Sequence, residues 1–169
     1  MTLHHDLLEQ ARHLATREPT RPRQASLRRA VSASYYALFH FLAAESAKLA
    51  TPPRPSGLRA QVRRAFNHAD MKVLCRQFAG RTGLSEQVRS LLLLPLDPGM
   101  ISIAIRFLEL QDERHAADYD MSQSFSRFEV LKMIAGVQIA FDDWPRIRAS
   151  PNGAVFLTAL LLNRQWSRA

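Results

Sequence analysis

The feature that most constrains this chain is the placement of its prolines, because they close off a long stretch with strong helical character. Residues 24–50 contain neither glycine nor proline, and the proline-rich stretches 19–22 and 52–55 lie on either side. Prolines spaced this closely cannot continue a helix, since each lacks a backbone N–H and clashes with the preceding turn. We therefore predict a long helix over residues 24–50.

Further helices are predicted from apolar residues at helical spacing and from capping signals at the ends. Asp97-Pro98 and Ser150-Pro151 each combine an N-cap residue with proline in the first turn. Ser126 and Glu129 have the spacing of a capping box. The predicted segments besides 24–50 are about 3–16, 58–78 with a left-handed cap at Gly80, 85–94, 98–117, 126–143 with an end at the WPR stretch, and 151–166.

Because no segment alternates convincingly in the manner of a strand, we predict an all-α fold, a bundle of four to six helices. A chain of 169 residues suits one domain spanning 1–169, with core helices over about 5–145 and a C-terminal helix over 151–166. The apolar runs 91–96 and 154–162 are much shorter than the roughly 20 residues of a membrane span. The first ten residues lack a signal-peptide pattern, so we expect a cytoplasmic protein without membrane contact.

The cation distribution suggests a polyanionic partner. Of the 23 Lys and Arg, 20 are Arg, and residues 1–95 carry 15 basic against 6 acidic side chains. Arginine makes paired hydrogen bonds to phosphate, so an excess of it favours nucleic acid or nucleotide binding. The same excess is also compatible with an ordinary basic protein or with an acidic partner chain.

One face of the predicted 24–50 helix is unexpectedly polar. Arg29, Ser32, Tyr36 and His40 follow one another at spacings of three or four residues, beside an apolar stripe that continues to Leu42. Such residues either form the wet edge of a core, with their polar tips satisfied, or line a binding groove.

A second polar position interrupts the later helix 98–117. The apolar series Ile103, Phe107, Leu110 continues into Arg114, and an arginine at such a position needs a partner. Asp118, four residues on, is the nearest candidate. The acidic residues Glu109, Asp112, Glu113, Asp118 and Asp120 are best explained as a solvated helix face, and we predict neither a metal site nor a cofactor.

Two motifs in these helices resemble those of the HEPN domain family of small helical bundles. They are Ser34-Tyr35-Tyr36-Ala37-Leu38-Phe39-His40 and Arg114-His115-Ala116-Ala117-Asp118-Tyr119. The resemblance implies a bundle that dimerises and binds RNA or nucleotides. It also implies metal-independent ribonuclease activity in toxin–antitoxin or defence systems, with a nucleotidyltransferase-like antitoxin partner.

Within this resemblance, Arg114 and His115 take the first two positions of the family's catalytic motif, and Tyr36, His40, Asp118 and Tyr119 belong to the binding face. The family's motif continues with a histidine after a further gap. The positions where it would stand hold Tyr119, Asp120 and Met121 instead, so this histidine is missing. Since imidazole is the side chain that transfers protons near neutral pH, weak or degenerate cleavage is expected.

Arg63 and His68 repeat the family's spacing on the predicted helix 58–78, although a basic helix produces such spacing by chance. Two functions therefore remain open: an RNA- or nucleotide-binding protein that retains weak ribonuclease activity, and a non-catalytic interaction module that partners a nucleotidyltransferase-like protein. The apolar residues between Val155 and Leu162 add the expectation of a homodimer.

Overall fold

The all-α prediction is confirmed by the structure, a computed structural model that describes residues 2–51, 56–80 and 82–166. Over these ranges the chain forms eight helices and no strand. The helices are α1 (Leu3–Thr16), α2 (Gln24–Ala50), α3 (Ser56–Arg64), α4 (His68–Gly80), α5 (Glu86–Leu91), α6 (Pro98–Tyr119), α7 (Arg127–Arg148) and α8 (Pro151–Trp166).

The predicted caps set several of these boundaries. The Glu129 amide donates to Ser126 Oγ at 3.2 Å, and the Ser126 amide donates to Glu129 Oε2 at 2.8 Å, which completes a capping box at the start of α7. Asp97 Oδ1 accepts a hydrogen bond from the Gly99 amide at 2.7 Å at the start of α6. These contacts satisfy amides that have no partner inside the helix.

The predicted helix 58–78 is wrong as a single element, because the chain breaks between α3 and α4. Asn67 Oδ1 accepts a hydrogen bond from the Asp70 amide at 2.9 Å, so Asn67 acts as a fresh N-cap. Phe66, only 9% exposed, is buried at the break. The left-handed glycine is Gly83, with φ of 74°, whereas Gly80 belongs to α4.

The predicted end of helix 126–143 is also wrong, since α7 runs through Pro145 to Arg148. Proline removes one backbone hydrogen bond from a helix. Trp144 and Ile147, which flank it, are 3% and 0% exposed, and their burial favours continuing the helix across this defect.

The chain divides into two compact units. Unit 1 comprises Met1–His40 and Arg106–Asp142, and unit 2 comprises Phe41–Ile105 and Asp143–Ala169, so that α2, α6 and α7 contribute residues to both. The core of unit 1 consists of buried apolar residues from α1, α2, α6 and α7, including Leu8, Val31, Tyr35, Phe107 and Val130. The prediction of a single domain stays a prediction.

Unit 2 contains its own apolar core, in which α8 contacts α4 and α5. The rings of Phe78 and Phe156 meet edge to face with their centroids 5.0 Å apart. The side chain of Asn152 joins α8 to the backbone of Leu93, accepting from the amide at 2.8 Å and donating to the carbonyl at 2.6 Å. None of the described helices is both long and apolar enough to cross a membrane.

Candidate functional site

The two motifs meet in unit 1, where Arg114 of α6 contacts the tyrosines of α2. Arg114 Nη2 donates a hydrogen bond to Tyr36 Oη at 3.3 Å. The guanidinium carbon lies 5.9 Å from the ring centroid of Tyr35 and 5.6 Å from that of Tyr36, within the range of a cation–π interaction. Tyr36 and Arg114, which belong to the two different motifs, are therefore in direct contact.

Arg114 also finds the acidic partner that its position requires. Its Nε lies 2.8 Å from Asp118 Oδ2, and the two side chains are only 22% and 24% exposed. The Nε–H bond is not aligned with that oxygen, so the contact is an ion pair rather than a hydrogen bond. Asp118 Oδ1 accepts a hydrogen bond from Ser32 Oγ at 2.8 Å. Tyr36, Arg114, Asp118 and Ser32 thus form one connected set, here called the Arg114 network.

The polar stripe of α2 lines a cavity. Arg29, Ser32 and Tyr36 border a space of about 380 Å³ together with residues of α1, among them Gln10 and Leu14. Ser32 and Tyr36 are held by the Arg114 network, whereas Arg29 is exposed and makes no hydrogen bond or ion pair within residues 2–51, 56–80 and 82–166. The polar tips of Ser32 and Tyr36 are thus satisfied, as at the wet edge of a core, while the same stripe borders a cavity, so both interpretations stay open.

His115 and His68 were the histidines considered for proton transfer, but it is His40, assigned to the binding face, whose ring contacts the Arg114 network. Its ring stacks on Tyr36 with the centroids 6.2 Å apart and an angle of 26° between the planes. His115 is exposed and instead pairs with exposed Tyr119, ring centroids 5.0 Å apart. Neighbouring positions on a helix point about 100° apart, which separates His115 from the direction of Arg114.

The pair Arg63 and His68 does not form the motif that its spacing suggests. Arg63 lies near the end of α3 and His68 is the first residue of α4, so the cap at Asn67 separates them. Both belong to unit 2 rather than to the unit that carries the Arg114 network. The prediction that they share one helix is wrong.

Sequence reasoning missed Arg28, which holds the end of α6. Its guanidinium donates to the carbonyl oxygens of Ala117 and Asp120, each at 2.9 Å, and to that of Gln123 at 2.5 Å. It also lies 5.9 Å from the ring centroid of Phe125. Arg28 precedes Ser32 by four residues and Tyr35 by seven, and this spacing was the available signal that it faces α6.

The acidic residues of α6 do not converge on a common point. Among the residues described, no three His, Cys, Asp or Glu side chains are placed to hold a metal ion. Burial raises the pKa of Glu113, and the neighbouring carboxylates of Glu129, Asp112 and Glu109 raise it further. Asp120 instead accepts hydrogen bonds from Ser122, which lower the pKa of its carboxyl group despite partial desolvation.

The charge of the protein is divided unequally between the units. Unit 1 contains 10 Lys and Arg and 10 Asp and Glu, while unit 2 contains 13 and 5, so the formal net charge of +8 belongs entirely to unit 2. The excess of basic over acidic side chains counted over residues 1–95 is therefore not located around Arg114. The net positive charge lies in unit 2, whose exposed arginines include Arg63, Arg64 and Arg76.

No protein-family model, curated protein or solved structure matches this chain.

Proposed function

We propose that this protein is an HEPN-type RNA- or nucleotide-binding protein, and that unit 1 binds the ligand along the Arg29–Tyr36 face. The observation that carries the proposal is the Arg114 network, which joins the two motif segments and fixes the Tyr36 side chain at the cavity. A tyrosine ring held in place is a suitable platform for a base, since stacking depends little on base identity.

Arg29 supplies the phosphate contact in this proposal. It is exposed, borders the cavity and lacks an acidic partner in the described structure, so its five N–H donors are available to an anion. Arg114 serves a positioning role, because Asp118 compensates its charge and Tyr36 occupies one of its donors. The net charge of unit 2 attracts the polyanion without sequence preference.

Cleavage is proposed to be weak or absent. Attack of a ribose 2′-hydroxyl on the adjacent phosphate needs a base to take the hydroxyl proton and an acid to protonate the leaving oxygen. His40, stacked on Tyr36, is the one imidazole that contacts a member of the network among the described ring pairs. A single imidazole can serve only one of these roles at a time, which argues for slow turnover.

The binding experiment compares two arginines of unit 1. We expect Arg29→Gln to weaken binding of a short single-stranded RNA about tenfold at low salt, since it removes one charged phosphate contact. The matched control is Arg21→Gln, which removes the same charge from an exposed residue between α1 and α2. Equal losses in both variants would mean that only overall charge matters, and the binding face would be rejected.

The cleavage experiment uses RNA digestion in the presence of a chelator. The variants are His40→Ala, Arg114→Ala, His115→Ala and His68→Ala, each checked for folding by circular dichroism. We expect little cleavage by the unmodified protein, and any cleavage to be lost in His40→Ala. Robust cleavage that needs His115 but not His40 would assign the chemistry to the exposed face of α6 and reject the role of His40.

A second candidate function is a non-catalytic interaction module, for example beside a nucleotidyltransferase-like antitoxin partner. The observation that favours it is the exposure of large apolar side chains in unit 1, with Phe128 76%, Met121 85% and Ile139 59% exposed. Homodimer formation belongs to the same proposal. The apolar residues of α8 support it less, because Phe156, Leu157 and Leu160 are buried in unit 2. Sedimentation and RNA titration distinguish the candidates, since a pure interaction module associates without binding RNA.

A further inference from the structure

We propose that the cavity of unit 1 selects an adenine nucleotide, and that the side chain of Gln10 reads the base. The inference rests on the function proposed above, because it names the base that the Arg29–Tyr36 face takes up. The lining of the cavity comes from two helices, with Leu7, Gln10 and Leu14 on α1 and Arg29, Ser32, Ala33 and Tyr36 on α2. All of these residues belong to unit 1.

The α1 wall of the cavity is one face of a helix. Leu7, Gln10 and Leu14 follow one another at spacings of three and four residues, so their side chains lie one above another. Leu7 and Leu14 are half-buried, whereas Gln10 is exposed at the cavity. The Gln10 amide therefore has aliphatic surface on both sides, and a ligand that contacts it also removes that surface from water.

Gln10 supplies the available neutral hydrogen-bonding group of this lining. The Ser32 hydroxyl donates to Asp118 Oδ1 at 2.8 Å, and Tyr36 Oη accepts from Arg114 Nη2 at 3.3 Å. The side chain of Gln10, in contrast, makes no hydrogen bond within the described part of the chain. Its amide offers an acceptor oxygen beside two N–H donors. A ligand that presents a donor next to an acceptor satisfies both groups.

Adenine is the base that matches this amide best. Its N6 amino group donates and its N7 accepts along one edge, and glutamine pairs with both atoms when it reads adenine in DNA. Guanine presents two acceptors, O6 and N7, along the same edge, so one of them would face the amide oxygen. Guanine and the pyrimidines offer a donor beside an acceptor only on their Watson–Crick edge, whereas adenine offers this pair on both edges.

The volume of the cavity limits how much of a nucleic acid enters it. About 380 Å³ lies near the lower end of the roughly 300–1,000 Å³ typical of small-molecule sites. We expect one nucleoside in this space, with its base on the Tyr36 ring, its edge toward Gln10 and its phosphate at Arg29. A single base is therefore read, either as one residue of a single-stranded RNA or as a free nucleotide.

The test measures base preference by fluorescence anisotropy. The ligands are a uridine pentamer and the same pentamer with adenosine or guanosine at its centre, titrated at a salt concentration that suppresses nonspecific attraction to unit 2. We expect the adenosine-containing RNA to bind the unmodified chain about tenfold more tightly than either other RNA, as for one paired contact between an amide and a base.

The variant Gln10→Met keeps the length and the helix propensity of the side chain but removes the amide. It should reduce the ratio of the affinities for adenosine- and uridine-containing RNA to near one. The matched control is Gln61→Met, which replaces an exposed glutamine of α3 and should keep the original ratio. Thermal unfolding confirms that each variant is folded.

Three results would overturn the adenine assignment: equal affinities for the adenosine and uridine pentamers, equal affinities for the adenosine and guanosine pentamers, or a preference that survives Gln10→Met. Arg29→Gln tests the binding face separately, since it should weaken all three RNAs. If Arg29→Gln acts in this way without any base preference, only the role of Gln10 fails. If Arg29→Gln and Arg21→Gln lose equal affinity, the binding face fails with it.

Competition by adenosine monophosphate distinguishes the two sources of the base. Displacement of the adenosine pentamer at equal concentration would assign the cavity to a free nucleotide. Failure to displace the pentamer would assign the cavity to adenosine within RNA.

Discussion

The two compact units use arginine in different ways. In unit 1, Arg28 and Arg127 donate to backbone carbonyl groups and Arg114 pairs with Asp118, so these side chains hold the fold together. In unit 2, the cations outnumber the carboxylates by 13 to 5, and residues such as Arg63 and Arg76 are exposed. An arginine whose donors are occupied by carbonyl oxygens keeps its charge but has fewer donors left for a phosphate.

This difference shows why charge counted along the sequence misleads. The basic stretch 1–95 includes the first half of α2, which belongs to unit 1, and there the acidic residues of α6 and α7 neutralise it. Nonspecific attraction of RNA follows from surface charge, so it is expected from unit 2. The binding proposed at the Arg29–Tyr36 face depends instead on one available cation and a fixed ring, neither of which selects a base.

The largest expected effect concerns Glu45, the buried acceptor of unit 2. Glu45→Ala leaves the Trp144 indole N–H buried without a partner and separates Lys48 and Arg148 from their shared anion. We expect the free energy of unfolding to fall by about 3 kcal/mol, because removing the charged partner of a buried hydrogen-bond network leaves its donors without an acceptor. Urea denaturation measures it. The control Glu86→Ala removes an exposed carboxylate paired with Arg89, and it should change stability by less than about 0.5 kcal/mol.

The next prediction tests where RNA is attracted. Replacing Arg63, Arg64 and Arg76 by glutamine should weaken RNA binding about 100-fold at low salt. It should also reduce the salt dependence of binding, because fewer counterions are released from the RNA when fewer phosphates are contacted. Filter binding across a salt series measures both quantities. The matched control in unit 1 replaces Arg17, Arg21 and Arg23. If the two triple variants lose equal affinity, the charge contrast between the units has no bearing on binding.

The sequence was sufficient to predict the helical fold and most helix ends, because the signals there are local. Ser126 with Glu129, and Asp97 before Pro98, carry their capping chemistry within a few residues. The continuation of α7 through Pro145 was not predictable from such signals. It depends on the burial of Trp144 and Ile147 and on the bond from Trp144 to Glu45, which is 99 positions away in the chain.

The candidate site was predictable only in part, for the same reason. The interruption of an apolar stripe by Arg114 indicated that it needs a partner, and the spacing pointed to Asp118. The contact between His115 and Tyr119 follows the i, i+4 spacing within α6, whereas the contact of Arg114 with Tyr36 of α2 depends on how separate helices converge. No spacing rule within one helix contains that information.

The next prediction, with a smaller effect, is that two adjacent arginines of unit 1 differ in what they contribute to stability and to RNA binding. Arg28→Met should lower the free energy of unfolding by about 2 kcal/mol, because three backbone carbonyl groups at the end of α6 lose a charged donor. Arg29→Met should leave stability nearly unchanged and weaken RNA binding instead. Chemical denaturation and RNA titration of both variants measure the contrast. Similar loss of stability in both would contradict the distinction between structural and available arginines.

The smallest predicted effect is a difference of sign in pH dependence between the units. The pKa of Glu45 lies below its usual value of 4.5, so the ionised form stabilises unit 2, and this contribution is lost as the pH falls through the lowered pKa. The pKa of Glu113 is raised above 4.5 by burial and by the nearby Glu129, Asp112 and Glu109. Its contribution is therefore present at acid pH and is lost as the pH rises through the raised pKa.

Glu45→Gln should consequently flatten the loss of stability on the acid side. Glu113→Gln should increase stability near pH 7 and lose that advantage below about pH 4, where the carboxyl of the unmodified protein is already neutral. Urea denaturation from about pH 3.5 to 7.5 compares both variants with the unmodified chain. The change in the free energy of unfolding, relative to the unmodified chain, should vary with pH in opposite directions for the two variants, because hydrogen-bond donors surround Glu45 and carboxylates surround Glu113. Parallel curves of this change against pH would show instead that the two carboxylates have similar surroundings.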